Sequence, residues 1–259
     1  MTDQVRKEKG EYLPPNLRLL AIIEEVGRAG IPVSPTAISE AVGLPVPTVH
    51  RLLATAEEEG FLQRDVDGRS FGPGQRLRRL SGNILSSQRI RTERLLVLRE
   101  LADEVGETCN LATPGRYGMV YIDRVETHWP LRIQLPVGTQ VPFHCTASGK
   151  MYLSSLRSDK LSRVLKWLAL EPKTDHTITD EADLRKELRE THKRQFSSDN
   201  QEFMEGMSAI AVPISDSEGR LLSTLSIHAP SQRHDLSSLI NHYEPLRKAA
   251  DRIEALCVD

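Results

Sequence analysis

Two short helical patterns follow one another between Ser34 and Gly60. Ser34 and Pro35 provide a cap and a first helical residue, and Gly43 provides the left-handed residue that ends a helix. A second pattern starts at Pro47, with apolar residues on one face and polar residues on the other. The apolar positions are Ala37, Ile38, Ala41 and Val42 in the first pattern and Val49, Leu52, Leu53 and Ala56 in the second. The chain is predicted to form two short helices joined by a tight turn.

A third helix and a hairpin are predicted on either side of this pair. Asn16 is a candidate cap for a helix that runs to about Ala29. Its inward positions are Leu17, Leu20, Ile23 and Val26. After the pair, the turn sequence Asp65-Val66-Asp67-Gly68 separates two short runs that end and begin at Arg64 and Arg69. Asp-Gly between such runs is a strong hairpin signal, so we predict a wing.

Two helices at this spacing, with a polar face at the start of the second, are typical of a helix-turn-helix, which places that face in the major groove of DNA. The candidate DNA contacts are Ser34, Thr36, Pro47, Thr48, His50 and Arg51, with Arg64 and Arg69 of the wing reaching phosphates. A helical hairpin of any function can show the same pattern. The two wing arginines can equally be solvent-exposed residues at the edge of the hairpin.

A long, Arg-rich helical stretch from Gln75 to Val105 follows the hairpin, and Gly82 is a candidate point of division. An exposed helix between domains is a common dimerisation element. A two-fold dimer would present two recognition helices to a palindromic operator in double-stranded DNA.

The rest of the chain alternates strands and helices. The predicted strands are Thr108–Thr113, Met119–Glu126, Leu131–Leu135, Met207–Ile214 and Leu221–His228, and the predicted helices cover the run from Ala147 to Leu156, Ser158–Ala169, Glu181–Lys193 and Ser231–Cys257. Strands in the middle with helices at both ends indicate an α+β domain, in which helices cover an antiparallel sheet.

Composition and charge narrow the possible functions. The chain of 259 residues is 39% hydrophobic and 27% charged, with a net charge of −2, which is typical of a globular protein with two domains. Residues 1–99 carry a net charge of +3 and the remainder −5. A slightly basic front half suits a DNA-contacting module.

No cofactor, metal site or membrane partner is expected. The three cysteines, Cys109, Cys145 and Cys257, are odd in number and far apart, which favours a reducing compartment over a disulfide framework. Paired metal-ligand spacings are absent from the sequence. Neither a signal peptide nor an apolar run of about 18 residues is visible, so we expect a cytoplasmic protein.

Four groups of residues, in order along the chain, carry a family resemblance. They are Val42–Pro45 with Thr48–Leu53 and Gly60–Leu62; Val137-Gly138 with Val141–Lys150; Asp199, Glu202 and Gly206–Ile214; and Ser226–Pro230. Over nearly its whole length the chain resembles IclR-type bacterial transcriptional regulators.

This resemblance implies a two-domain α+β architecture, with an N-terminal winged helix-turn-helix, a linker helix and a C-terminal GAF-like effector domain. We predict a flexible arm at residues 1–14, the DNA-binding domain at 15–77, the linker at 78–92 and the effector domain at 93–259. The resemblance also implies a homodimer, often assembled as a dimer of dimers.

The implied effector is a small organic acid, aliphatic or aromatic, that controls a catabolic operon. It would lie between the sheet and the loop before the Ser-Gly-Lys helix. The positions that carry over are Val141, Ala147, Ser148, Asp199, Met207, Ala209, Ser226 and His228. Ala147 and Ser148 begin a helix, where free N–H groups and the positive end of the dipole favour a carboxylate.

Alternatives stay open at three of these positions. Ser148 can be a simple N-cap, and Asp199 can cap neighbouring N–H groups in a turn. His228 stands where the family more often has a small or hydroxyl residue, so it can pair with a carboxylate or simply pack. In the helix-turn-helix, Val46 and Pro47 stand where the family commonly has a basic or hydroxyl residue.

Two other functions compete with regulation of transcription. Cys145 beside His144 could belong to an enzyme, but adjacent residues of an extended chain point to opposite faces, so no catalytic residue is assigned. Cys109 or Cys145 could instead sense oxidants, although cysteine is also a common small core residue. The effector, the operator and the sign of regulation are not readable from the sequence.

Overall fold

The computed structural model describes residues 13–65, 68–85 and 88–258. The chain divides into two compact units between Ser87 and Gln88. Residues 1–12 of the predicted arm, and Val66 and Asp67 of the predicted turn, lie outside the described residues.

The first unit contains the predicted winged helix-turn-helix. Its elements are α1 (Arg18–Ala29), α2 (Pro35–Val42), α3 (Val46–Glu58), β1 (Leu62–Arg64), β2 (Phe71–Pro73) and α4 (Gln75–Leu85). The caps follow the sequence: the Ser34 hydroxyl accepts a hydrogen bond from the N–H of Ala37 at 3.3 Å, and Gly43 ends α2 with a φ of 68°. Local chemistry therefore sets the turn between α2 and α3.

Fewer of the predicted apolar residues of this unit are fully buried than the sequence pattern indicated. Ile22 and Val26 of α1 are fully buried, whereas Leu17 and Leu20 are 44% and 54% exposed. The helix starts at Arg18, with Leu17 as an N-cap and no side-chain cap from Asn16. The side that packs in the core carries Leu19, Ile22 and Val26. In α2 only Ile38 is buried, because a short helix turns only one narrow row of side chains toward the core.

The predicted hairpin is confirmed. Strands β1 and β2 pair antiparallel with Arg64 opposite Phe71, and the N–H of Asp65 donates to the carbonyl of Ser70 at 2.8 Å. Gly68 has a φ of 65°, which explains why glycine follows aspartate in this turn. The division predicted at Gly82 is wrong, because α4 continues through that residue to Leu85.

The second unit is an antiparallel sheet with helices on both faces. Its elements are α5 (Gln88–Val105), β3 (Thr108–Pro114), β4 (Met119–Val125), β5 (Gln140–Val141), α6 (Ala147–Ser155), α7 (Ser158–Trp167), α8 (Glu181–Arg194), β6 (Ser197–Asn200), β7 (Met207–Ser215), β8 (Leu221–Pro230), α9 (Leu236–Ile240) and α10 (Tyr243–Val258). The six strands lie in the order β5-β4-β3-β8-β7-β6, and the predicted α+β class is confirmed.

Three sequence predictions fail in this unit. The segment Leu131–Leu135 is irregular, and the short strand β5 pairs with β4 instead. Strand β6 was missed because its sequence, Ser197–Asn200, is polar although three of its four residues are buried. The single final helix is two helices, α9 and α10.

The two faces of the sheet are covered differently. On one face α5 and α10 pack against an apolar cluster that includes Leu98, Leu225, Ile227 and Leu246. On the other face α6 crosses the sheet, where Ala147 and Met151 pack against Ala209 and Ala211 of β7. Within the described residues, no helix is both long and apolar enough to cross a bilayer.

Candidate DNA-binding surface and effector site

The polar face of α3 is available to a partner. Thr48, Arg51 and Thr55 follow one another at spacings of three and four, so they lie along one side of the helix. His50 and Arg51 are exposed and Thr48 is half-buried. Within the described part of the chain, the Arg51 guanidinium has no hydrogen-bond or ion-pair partner. Such a side chain suits a base edge or a phosphate.

The other predicted contacts lie at helix starts. Thr36 and Pro47 are exposed in the first turns of α2 and α3, and Ser34 is exposed at the cap of α2. Because the Ser34 hydroxyl accepts the hydrogen bond that caps α2, its oxygen is already engaged. These positions remain predicted contacts.

Both wing arginines are exposed. Arg64 donates to Glu57 at 3.0 Å and to the carbonyl of Gly68 at 3.1 Å, and its guanidinium lies 4.7 Å from the centre of the Phe71 ring. Arg64 is therefore held by its own unit. Arg69 is exposed beside β2.

In the second unit, strand β8 has one apolar and one polar face, and both are buried. Leu225, Ile227 and Ala229 join the apolar cluster, so Thr224, Ser226 and His228 face α6. Register places Ser226 beside Asn110 of β3 and Ala211 of β7, and His228 beside Ala209. A row of polar side chains thus lies inside the protein, which requires hydrogen-bond partners or a ligand.

The start of α6 lies over this row. Thr146 is the N-cap, because its hydroxyl accepts from the N–H of Gly149 at 3.1 Å, so the N-cap alternative for Ser148 is wrong. A side chain at Gly149 would begin 2.3 Å from the Phe143 carbonyl, so glycine lets the preceding loop fold against the helix. In the described structure the N–H groups of Ala147 and Ser148 have no acceptor, and the buried Ser148 hydroxyl has no partner.

Asp199 lies on the same face of the sheet, opposite Ala209. Its Oδ1 accepts from the N–H groups of Glu202 and Phe203 at 2.8 and 3.3 Å, as the turn-capping alternative predicts. Burial, and then the Glu202 carboxylate, raise the pKa of Asp199 to about 7. With a pKa near 7, the carboxyl group can be protonated near neutrality.

His228 is a neutral, packed histidine. Its Nε2 lies 3.0 Å from the Ser226 hydroxyl, and the Tyr121 ring meets it edge-on with centroids 6.1 Å apart. Burial, and then the Arg124 guanidinium, lower the pKa of His228 to about 3. In the described structure it pairs with a hydroxyl and an aromatic ring rather than with a carboxylate.

The remaining predicted effector residues form apolar walls. Ala209 is buried beneath α6, and the half-buried Met207 occupies the same side of β7 two residues earlier. Val141 is buried in β5, opposite Met119. The structure therefore brings Ala147, Ser148, Asp199, Met207, Ala209, Ser226 and His228 onto one face of the sheet and its covering helix, with Val141 at the edge strand.

Sequence reasoning missed Asn110, Tyr121 and Arg124. Asn110 is fully buried and is bonded through its Oδ1 to Nη1 of Arg124 at 2.9 Å. A bulge in β4 breaks the register between Leu111 and Ala112 and brings both Tyr121 and Arg124 to the side of α6. The only local signal was an asparagine inside an otherwise apolar and threonine-rich strand.

Lys150, Cys145 and His144 are held by contacts with neighbouring residues of their own unit. The Lys150 ammonium is 1% exposed and lies 2.5 Å from Glu202. Cys145 is buried, and burial followed by the charges of Asp199 and Glu202 raises the pKa of its thiol to about 12. His144 bonds through Nε2 to the carbonyl of Glu171 at 2.9 Å. Thiols that stay protonated at neutral pH are poor nucleophiles.

An open groove of about 330 Å³ lies elsewhere on this unit. Its wall contains Tyr117, His144, Trp167 and Lys173, and Val141 is the predicted effector residue that reaches it. Among residues 13–65, 68–85 and 88–258, no three His, Cys, Asp or Glu side chains cluster as metal ligands would.

Comparison with known proteins matches both units to one family. A model of the IclR helix-turn-helix domain matches residues 17–66, and a model described as bacterial transcriptional regulator IclR C-terminal matches residues 82–255. The two models together cover most of the chain, in the order of the two units.

Curated relatives and solved structures agree. The chain is 38% identical to the probable transcriptional regulator SauR of Cupriavidus necator, over 92% of this chain and 94% of that protein. It is 28% identical to the acetate operon repressor of Salmonella typhimurium, over 83% and 80%. It resembles the crystal structure of Thermotoga maritima IclR with a TM-score of 0.62 and 28% identity, over 92% and 96%.

These relatives are transcriptional regulators and not enzymes. The helix-turn-helix of the first unit agrees with the matching family model. The chain belongs to the IclR family of DNA-binding bacterial transcriptional regulators.

Proposed function

We propose that this regulator controls a catabolic operon in response to a small organic acid. The acid binds between α6 and the sheet of the second unit and changes the affinity of the first unit for its operator. For this coupling, the acid must bind the operator-competent and the incompetent arrangements with different affinity.

The start of α6 carries the proposal for an acid. Among the described residues, two backbone N–H groups and the Ser148 hydroxyl have no acceptor there, in a place that water does not reach freely. A carboxylate would accept from all three and would benefit from the positive end of the helix dipole. Asp199, Ser226 and His228 supply the other polar groups, and Ala209 and Met207 supply apolar wall. The name of one relative, the acetate operon repressor, also connects the family with a carboxylate.

On the DNA side, α3 enters the major groove and the wing lies beside it. Thr48, His50 and Arg51 contact bases or phosphates, and Ser34, Thr36, Pro47, Arg64 and Arg69 line the backbone. We assign residues 15–77 to the DNA-binding domain, 78–92 to the linker and 93–259 to the effector domain. The linker joins two chains into a homodimer, and two such dimers can assemble as a dimer of dimers. The dimer binds a palindromic operator, and the protein acts in the cytoplasm.

A gel-shift titration tests the DNA side. The full chain is mixed with duplexes from the region upstream of its own gene and with a duplex of shuffled sequence at the same salt concentration. We expect preference for an upstream duplex and a complex whose stoichiometry is a multiple of two chains. Equal affinity for all duplexes would overturn the assignment of α3.

A thermal-shift screen against metabolic acids tests the other half. An acid that binds only the folded protein raises the melting temperature by mass action. The same acid should change the gel-shift affinity. A matched variant, Ser148→Leu, should lose both effects while it still binds the operator in the absence of acid. A normal response in that variant would remove α6 from the site.

A further inference from the structure

The structure also indicates which chemical group lies at the second end of the effector, and this inference rests on the proposed acid site. We propose that Asn110 and Arg124 form a second anion subsite, so that the effector is an acid with two anionic groups separated by two or three carbon atoms. One group binds at the start of α6 and the other binds near β3 and β4.

An unpartnered amide is the first observation. Asn110 is fully buried, and its Nδ2 has no acceptor in the described structure. Its orientation is fixed, because Oδ1 accepts from Arg124 and the reverse orientation would place two donors against each other. A buried donor without a partner is costly to the folded state, so its presence here indicates a ligand that accepts from it.

Arg124 supplies charge beside this amide. Its side chain is 4% exposed and its nitrogens meet three acceptors: Glu126, Asn110 and the carbonyl of Ile133. A guanidinium has five N–H donors, so the group is fixed in place with donors remaining. Glu126 is shared with Arg132 at 2.7 Å, which leaves this cluster one positive charge in excess. An anion close to Asn110 would be attracted.

The bulge in β4 is the third observation. Strand alternation would send Tyr121 and Arg124 to opposite faces of the sheet. The break in register between Leu111 and Ala112 instead brings both to the face beneath α6, while Asp123 points the other way and binds Arg94 at 2.6 Å. Bulges commonly re-aim a side chain at a functional site. Here the re-aimed residue is a buried arginine.

Sheet geometry gives the separation of the two subsites. The start of α6 packs on β7, where Ala147 contacts Ala209 and Ala211, and Asn110 lies on β3, two strands away. Two strand spacings are roughly 10 Å, and a hydrogen bond of about 2.9 Å at each end leaves roughly 4 Å between the accepting oxygens. Succinate and glutarate have carboxylates about this far apart. Ser226 and His228 of the intervening strand β8 would lie along the carbon chain.

Titration of the full chain with matched acids tests the subsite. Both tryptophans, Trp129 and Trp167, lie in the second unit, so their fluorescence and isothermal calorimetry both report binding there. The probes are succinate and glutarate, with monomethyl succinate and butyrate as acids of similar length that lack the second charge. We expect a dicarboxylate to bind at least tenfold more tightly than its monoacid.

The variant Asn110→Leu should remove this preference. It is similar in size, and we expect the ratio of its affinity for the dicarboxylate to its affinity for monomethyl succinate to fall about tenfold relative to the unsubstituted protein. Asn110→Ser, which keeps a donor, should restore part of the preference. Denaturant unfolding and operator binding of each variant show whether the fold is retained.

The possible outcomes separate this inference from the proposed function. Monoacids that bind as tightly as dicarboxylates, with no effect of Asn110→Leu, would overturn the second subsite and leave the acid site at α6 intact. Absence of binding by every acid would overturn both the subsite and the acid effector, whereas the gel-shift result on DNA would be unaffected. A dicarboxylate preference that Asn110→Leu leaves unchanged would also overturn the role of Asn110.

Discussion

The two units of this protein place their candidate recognition residues in opposite ways. In the first unit, His50 and Arg51 are exposed on a helix whose other side forms the core. In the second unit, Asn110, Ser148 and Ser226 are fully or almost fully buried between a helix and a sheet. A surface that reads DNA must be open to a partner larger than the protein, whereas a site for a small acid gains by excluding water.

This difference has an energetic consequence. Exposed polar side chains contribute little to folding, so they can be changed without loss of stability. Buried polar and charged groups depend on one another, and removal of one partner leaves the other uncompensated. Substitutions in the second unit should therefore affect folding as well as binding, and substitutions on α3 should affect binding alone.

The largest effect is expected at Lys150. Its ammonium is buried against Glu202 at 2.5 Å and lies 3.6 Å from Glu187. Lys150→Ala leaves buried acid without a counter-charge, so the free energy of unfolding of the second unit should fall by about 3–5 kcal/mol. Denaturant unfolding followed by tryptophan fluorescence measures this. The double variant Lys150→Met with Glu202→Gln should recover most of the loss, and a loss below about 1 kcal/mol in the single variant would contradict the comparison.

A smaller, pH-dependent effect is expected at Asp199. Its folded pKa of about 7 lies above the ordinary value of 3.8, so the protonated carboxyl favours folding at low pH and this stability is lost as the pH rises through 7. Glu202, Lys150, Tyr121 and Cys145 face the same group. Asp199→Asn keeps the capping oxygen and has no charge. The free energy of unfolding of the variant minus that of the unsubstituted protein should rise by on the order of 2 kcal/mol from pH 5 to pH 8. Denaturant unfolding at both pH values measures this difference.

On the DNA-binding side, Arg51→Ala should leave the melting temperature unchanged and weaken operator binding by at least about tenfold, the value of one good base contact. The measurement is a gel shift at fixed salt. Arg28→Ala on α1 removes the same charge from the same unit and serves as the control. Equal losses in both variants would mean that bulk charge, and not the polar face of α3, determines affinity.

The smallest effect is expected at the wing. Arg64 pairs with Glu57 at the surface, and exposed ion pairs are worth about 0–1 kcal/mol. Arg64→Ala should therefore lower the stability of the first unit by about 0.5 kcal/mol, measured by differential scanning calorimetry. Because its guanidinium is held by Glu57 and Gly68, we expect its contribution to operator affinity to be smaller than that of Arg51. A larger loss of affinity than in Arg51→Ala would reverse the assignment of the two arginines.

The sequence by itself determined the features that depend on neighbours within a few residues. The cap at Ser34, the end of α2 at Gly43 and the Asp-Gly hairpin all follow from local chemistry, and the structure confirms them. The family motifs were also readable, and with them the order of the two units. These features require no knowledge of what packs against them.

Only the tertiary structure decided which polar residues are inside. Ser226 and Asn110 are 116 residues apart and adjacent in the sheet. The predicted strand Leu131–Leu135 found no partner, and the polar segment Ser197–Asn200 became a strand because β7 pairs with it. The bulge that turns Arg124 inward is likewise set by the pairing of β3 with β4. Register and burial depend on contacts between distant segments, and alternation along one strand gives its two faces without saying what will cover them.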